Sequence, residues 1–243
     1  MKLKLMSYNI THCESELTHE IDFDAFADVI RRSGADIVGL NETYDDAEPA
    51  AADGQPNGIR LGRQPYELAK RLGYHVYFAQ ALVLFGTPYG NTLLSRFPIL
   101  NARTVPIPDP EPHACDGYYE TRCVLQAELD VPGGLRVCVT HFGLNPDEHA
   151  NAVRTVCGAI RDKRCILMGD MNVTPENPIL SPIRARMFDT AELFREPMMS
   201  FPSDKPDRKI DYIFTSRDWN VLSADIPAEL VSDHRPYVAE IEG

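Results

Sequence analysis

The stretch Arg164 to Asn177, RCILMGDMNVTPEN, decides how this chain is read. Cys165, Ile166, Leu167 and Met168 form an apolar run that meets Gly169, Asp170, Met171 and Asn172, and Pro175 halts it soon after. A short, nearly continuous apolar run bounded by turn residues reads as a strand buried on both faces. Asp and Asn are depleted inside strands and common in turns. The stretch is therefore either a strand closing in an Asx-type turn, or a rigid arm that delivers Asp170 and Asn172 to one spot.

The pattern recurs along the chain. MSYNI ends a first strand in Asn9, ADIVGLNET places Glu42 just after another, and VCVTHFGLN carries His141 and Asn145 after a third. KIDYIF sets Asp211 inside an apolar run, and LVSDHRPYV sets Asp233 and His234 just before the last strand. Each has a plain alternative: a turn former, a helix-entry charge, a core histidine, a cap. Polar residues repeatedly placed at the ends of buried strands point instead to one shared site, because strand ends are where a layered scaffold presents side chains.

Strands are expected at 3–9, 36–41, 74–79, 91–95, 99–106, 119–129, 135–140, 164–169, 210–215, 219–225 and 236–241, and helices at 22–33, 63–72 and 147–160. Several strands are apolar throughout, which calls for cover on both faces. Others are neighbours with no room for a crossover helix and must be antiparallel. Mixed sheets stacked face to face with helices outside satisfy both demands. The expected class is thus an α/β sandwich, and 243 residues without a linker, repeat or low-complexity run form one domain, 1–243. Two long loops, 43–62 and 106–118, are rich in Pro and acid and read as functional rims.

Composition narrows the function. Thirty-six acids against 24 bases give a net charge of −12, with no basic run of the kind that grips duplex DNA by displacing counterions. The six cysteines make no CxxC pair, which removes zinc-ribbon and thioredoxin readings and suggests buried reduced thiols. MKLKLMSYNI lacks the apolar core of a secretory signal and no run reaches membrane-spanning length, so a soluble cytoplasmic protein, a monomer, is expected. There is no GxSxG, Walker loop, GxGxxG after a strand, or HExxH. Carboxylates and amides without cysteine ligands suit a hard cation such as Mg²⁺ or Mn²⁺. Two histidines beside acids can stabilise phosphoryl charge or move a proton.

SYNI, LNET, GNTLLSRFPI, VTHFGLN, MGDMN, KIDYIF and SDHRP occur in the order and spacing of the endonuclease/exonuclease/phosphatase superfamily, and the chain resembles it from residue 3 to residue 241. That resemblance implies a four-layer αββα sandwich with two stacked mixed β-sheets. Carried over, Glu42 looks like the principal metal ligand, with Asn9 and Asp233 completing the metal network. Asp170 resembles the acid that orients or deprotonates the attacking water, and Asn172 the amide that holds the scissile phosphate. His234 looks like the histidine facing that phosphate, Asp211 its acid partner, and His141 the second histidine of the deoxyribonuclease and phosphatase branches. Asn145 and Asn91 fall where relatives contact substrate. Arg122 either binds a substrate phosphate or pairs with Glu120, and Arg235 reads as structural. LNET has Asn41 where glutamine is common, and Met171 stands in place of an aromatic residue, which suggests repacking behind the site.

The expected activity is metal-dependent hydrolysis of phosphate esters, with a small or lipid phosphodiester favoured over DNA or RNA. The third reading is an inactive binding module of the same fold. The rim acids Asp45, Asp46, Glu48, Asp53, Asp109, Glu111 and Asp116 against Arg60 favour a compact substrate. A patch of Arg122, Lys205, Arg208 and Lys209 is what a nuclease would use instead.

Overall fold

Apolar residues at helical spacing and alternating or continuous apolar strands leave the chain one economical solution, two sheets sharing an inner core with helices on the outer faces. The computed structural model describes residues 1–46 and 61–243 and has this form. In chain order the elements are β1 Lys2–Asn9, α1 Phe23–Ser33, β2 Ile37–Tyr44, α2 Gln64–Leu72, β3 His75–Leu84, β4 Thr87–Ser95, β5 Ile99–Pro106 and β6 Cys123–Leu129. They continue with β7 Leu135–His141, α3 Pro146–Ala159, β8 Cys165–Asp170, α4 Ser181–Arg186, β9 Met187–Asp189, β10 Asp211–Ser216, β11 Asn220–Asp225 and β12 Tyr237–Glu242.

One six-stranded sheet runs β11-β12-β1-β2-β4-β3 and the other β5-β6-β7-β8-β10-β9. Leu5, Ile37 and Leu93 of the first meet Leu125, Val139, Ile166 and Met168 of the second in the inner core. Phe26, Ile30 and Leu68 bring α1 and α2 onto the outer face of the first sheet. Val153 and Val156 of α3, with Ile183 of α4, cover the outer face of the second. The four layers are therefore helix, sheet, sheet, helix.

Among the described residues, each sheet contains one parallel pair. β1 and β2 are parallel, joined through α1, and β7 and β8 are parallel, joined through α3. Ligands in open α/β sheets gather at the carboxyl ends of such strands. Here those ends carry Asn9, Asn41, His141 and Asp170, with Asn9 opposite Asn41 and His141 opposite Asp170 in register.

Close approach of chains fixes two glycines. A Cβ on Gly39 would lie 2.6 Å from Met168 Sδ, so the inner core closes only over a bare α-carbon there. Gly169 has φ 142°, and a Cβ on it would lie 1.8 Å from the Thr140 carbonyl oxygen. The glycine ahead of Asp170 is thus what allows β8 to dock on β7.

The structure differs from expectation in several places. β2 runs on to Tyr44, so the rim loop starts after that residue rather than at 43, its base closed by Arg63 and Asp45 at 2.8 Å; residues 47–60 lie outside the described part. β6 starts at Cys123 rather than 119, because Tyr119 is drawn to α3 by its hydroxyl bond to Asp147. β3 is longer and turns into β4 at Phe85-Gly86, both at positive φ, as a two-residue hairpin requires. α4 and β9 have no sequence counterpart among the expected elements; at six and three residues they are too short for a period to register.

Candidate active site

Asn9 and His141, from the parallel strand ends, and His234, from just before β12, converge on one carboxylate oxygen of Asp170. Asp170 Oδ2 accepts from Asn9 Nδ2 at 3.2 Å, and His141 Nε2 and His234 Nε2 lie 3.5 and 3.6 Å away. Its other oxygen accepts the Asn172 backbone N–H at 2.9 Å, the Asx turn foreseen by the plainer reading of GDMN. The turn and the tool are the same residue. From behind, Asn41 Oδ1 accepts the Asp170 backbone N–H at 2.9 Å. Asp170 is 1% exposed, and burial, opposed by His234 and reinforced by Asp211, pushes its carboxyl up to about 7.

Glu42 reaches the site through a break in register. The β2–β4 ladder shifts between Leu40 and Thr43, and Glu42 sits at φ 59°. A bulge of this kind re-aims a side chain that regular pleating would send elsewhere. Asn172 is also at positive φ, 51°, as is the whole Thr11–Cys13 segment. Strain of roughly 1–3 kcal/mol at such non-glycine positions persists where the surroundings over-determine the backbone, commonly at functional sites. Glu42 Oε1 accepts from Asn9 Nδ2 at 2.9 Å and Oε2 lies 3.6 Å from His12 Nε2. Asn9 is thus a strut between Glu42 and Asp170, presenting its amide nitrogen to both, while its oxygen accepts the Thr11 N–H at 3.2 Å. Asp233 joins the same group through Thr11 and Ser232, whose hydroxyls both donate to its Oδ1.

The two histidines have opposite partners. His234 Nδ1 is 2.8 Å from Asp211 Oδ2, deep beneath the Phe201 ring. Burial alone would lower its pKa, but the charge and hydrogen bond of Asp211, with Asp170 and Asp233 behind, lift it to about 10. His234 is a cation at neutral pH. His141 Nδ1 instead meets Arg122 Nη1 at 2.8 Å. Burial, then Arg122, His234 and His12, hold its pKa well below the ordinary imidazole range. Asn172 Nδ2 lies 3.2 Å from His141 Nε2 and donates to the Phe142 carbonyl at 3.0 Å.

Other expected site residues have different employment. Arg122 is buried and pairs with Glu120 at 2.8 Å, which is the ion-pair alternative. Asn91 is 2% exposed; it accepts from Asn41 at 2.8 Å and donates to the Cys123 carbonyl at 3.0 Å, so it braces the two sheets where a substrate contact was expected. Asn145 caps α3, with Glu148 accepting the Asn145 backbone N–H at 3.0 Å and side-chain amide at 2.7 Å, and its amide also reaches the Tyr118 carbonyl. Both amides already hold partners within the fold. Arg235 donates to the Ser203 carbonyl at 2.8 Å. Asn41 and Met171 account for the two motif departures: Asn41 bonds across the sheets to Asn91 and the Thr140 carbonyl, and Met171 fills the core beneath α3. Sequence reasoning missed Thr11, His12 and Ser232, which have no periodicity to betray them. Thr11 and His12 follow directly on the SYNI motif, and their nearness to it was the one available signal.

Among the described residues, the donor atoms of Asp170, Asp211 and His234 lie within 4.8 Å of one another. The 2.8 Å bond between Asp211 and His234 Nδ1 makes that trio an ion-paired acid–histidine unit beside a second acid.

Two six-stranded sheets thus bring an acid, an amide and two histidines together beside the ends of their parallel strands, groups able to orient a water and to stabilise phosphoryl charge. The chain belongs to the endonuclease/exonuclease/phosphatase family, whose model matches residues 6–234. No curated protein matches it. Among solved structures it is similar to an endonuclease/exonuclease/phosphatase from Beutenbergia cavernae DSM 12333, at 25% identity and TM-score 0.79 over 99% of this chain and 71% of that one. It shares its fold with the mannosyl-6-phosphatase Bt3783 of Bacteroides thetaiotaomicron VPI-5482, at 15% identity and TM-score 0.76 over 99% of this chain and 100% of that one. It also shares it with ANGEL2, a 2′,3′-cyclic phosphatase, at 15% identity and TM-score 0.72 over 99% and 95% of the two chains. No helix among the described residues is long and apolar enough to cross a membrane.

Proposed function

We propose that the protein is a divalent-cation-dependent phosphodiesterase acting on a compact phosphate ester, the small-molecule or lipid-headgroup class, in preference to long duplex nucleic acid. The observation that carries this is the convergence of Asn9, His141 and His234 on Asp170 Oδ2. A buried carboxylate with its pKa near neutrality is matched to taking a proton at neutral pH.

The donor set fits a hard cation. Glu42, Asp170, Asp211 and Asp233 outnumber the one cationic histidine, so a phosphate would enter an anionic site without a counter-charge. Glu42, steadied by Asn9, and Asp233 would hold Mg²⁺ or Mn²⁺, which would supply Lewis acidity at a phosphoryl oxygen. The chain's own groups do the rest. Water attacks phosphorus, its proton passes to Asp170, and the ester P–O bond opposite breaks with its electron pair leaving on the alkoxide oxygen, which takes a proton from solvent. His234, kept cationic by Asp211, stabilises the charge that grows on the phosphoryl oxygens. Asn172, anchored at the Phe142 carbonyl, orients the phosphate.

Substrate size is read from charge. Of the basic residues a nuclease would use, Arg122 and Lys209 are buried, Arg122 paired with Glu120 and Lys209 set over the Tyr212 ring. Arg208 is exposed but bonded to Asp207. Lys205 is the fourth and is exposed, and one free lysine is too little for the several phosphate contacts that duplex binding needs. The test compares kcat/KM on bis-p-nitrophenyl phosphate, small phospholipid headgroup diesters and duplex DNA, each at low and high salt with Mg²⁺ or Mn²⁺. Small diesters are expected to lead. Efficient duplex cleavage falling steeply with salt would overturn the reading.

A further inference from the structure

Hydrogen bonding around His141 is over-determined. A guanidinium carries donors only and cannot be deprotonated in a protein. Arg122 Nη1 lies 2.8 Å from His141 Nδ1, so that nitrogen must offer its lone pair and the ring proton must sit on Nε2. Arg122 has no freedom to turn away: it is 8% exposed, ion-paired to Glu120 at 2.8 Å, and hydrogen-bonded to Tyr89.

Nε2–H then faces the centre of the site with no short acceptor. Asn172 Nδ2, at 3.2 Å, is itself an N–H donor already turned to the Phe142 carbonyl, so the two cannot bond. Asp170 Oδ2 lies at 3.5 Å, beyond the ordinary N–H···O range. A buried donor without a partner costs about 1–3 kcal/mol, a demand that a ligand oxygen would meet.

We propose that Arg122 is a positioning residue that fixes His141 as a neutral Nε2–H imidazole, and that His141 gives this hydrogen bond to a phosphoryl oxygen without transferring a proton. The phosphate part rests on the function proposed above; the tautomer does not. The two imidazoles that meet at Asp170 thereby differ in kind. A carboxylate on Nδ1 makes His234 a cation with both nitrogens protonated, and a guanidinium on Nδ1 makes His141 neutral with one. The depressed pKa of His141 agrees with this division.

The test has two readouts. In long-range ¹⁵N–¹H spectra of the full chain labelled at histidine, His141 should show an unprotonated Nδ1 and a protonated Nε2, unchanged from about pH 5.5 to about pH 9. R122M should lose that pattern, to tautomer exchange or protonation, and R122K should keep more of it. An Nδ1–H tautomer or an imidazolium in the wild type would overturn the proposal whatever the enzyme hydrolyses. The second readout uses glutamine, whose amide can accept from Arg122 and donate toward phosphate but cannot shuttle a proton. H141A should lose about 10²-fold in kcat, and H141Q should recover at least about tenfold of it. H141Q as inactive as H141A, with its fold intact by circular dichroism, would show that His141 moves a proton and refute the donor role. Failure to hydrolyse any phosphate ester would refute the proposed function and leave the tautomer standing on the spectra.

Discussion

Asp211→Asn tests the buried acid–histidine unit most sharply, because it removes a charge and leaves a shape. His234 Nδ1 and Asp211 Oδ2 are 2.8 Å apart, with Asp211 0% and His234 4% exposed. The pair lifts His234 from the ordinary 6.5 to about 10 against the pull of burial. At 1.36 kcal/mol per pH unit that is roughly 5 kcal/mol of preference for the cation, and breaking one side of a buried pair costs about 3–5 kcal/mol. The sign follows from linkage. A histidine whose folded pKa is raised stabilises fully below its unfolded value near 6.5 and loses that contribution as pH rises through 10. Asp211→Asn should therefore be less stable than wild type by about 3–5 kcal/mol at pH 6, with the gap narrowing as pH approaches 10. Urea unfolding across that range measures the gap, and the His234 Cε1–H resonance reports the proton directly. In wild type it should not titrate below about pH 9, and in the variant it should titrate below 6.5. A stability gap that does not narrow with pH, or a wild-type His234 titrating near 6.5, would refute the reasoning.

Three further outcomes are expected. Glu42→Gln should shift the Mg²⁺ titration of activity to higher concentration by about tenfold or more, since it removes the charge best placed for a cation; a curve superimposable on wild type would remove Glu42 from the ligand set. The acid limb of kcat/KM should fall at or below about 7, where Asp170 loses the proton that burial helps it keep, and Asp170's stabilising contribution, greatest below 3.8, should fade over the same rise in pH. A profile flat down to pH ~4 would contradict a base at this position. Asn145→Ala should cost about 1 kcal/mol of stability by thermal melting, as loss of a helix cap does, with kcat/KM within about twofold of wild type; a large kcat/KM loss would restore the substrate role.

Much of the architecture could be read because burial leaves a periodic mark. RCILMG and ADIVGL are apolar on both faces, and in the structure both lie between the inner core and a helical layer. Polar residues at the ends of such runs located Asn9, Glu42, His141, Asp170, Asp211 and His234, which the fold brings together. What the sequence hid was geometry without a period. The bulge that aims Glu42 leaves no trace in hydropathy, nor does the left-handed Thr11–Cys13 segment that brings His12 to Glu42. Arg122 and His141 sit on neighbouring stretches of chain, so their contact needed the β6–β7 pairing to be seen. Asn145 reads as a substrate contact by resemblance, although its own signal as a cap is present: Asn-Pro-Asp-Glu places a cap, a first-turn proline and a glutamate three residues on. Asn91 likewise reads as a substrate contact by resemblance, and here a second buried amide, Asn41, is its partner.

Asp170 as the base of a cation-dependent phosphoester hydrolase is tested most directly by single-turnover hydrolysis of bis-p-nitrophenyl phosphate by wild type and Asp170→Asn, each after chelation and after Mg²⁺ or Mn²⁺ is restored. Chelated wild type should be inactive and recover with either cation, and the variant, folded and isosteric, should stay slower by about 10²-fold or more once the cation is restored. Turnover of the variant equal to wild type, or full wild-type activity after exhaustive chelation, would contradict it.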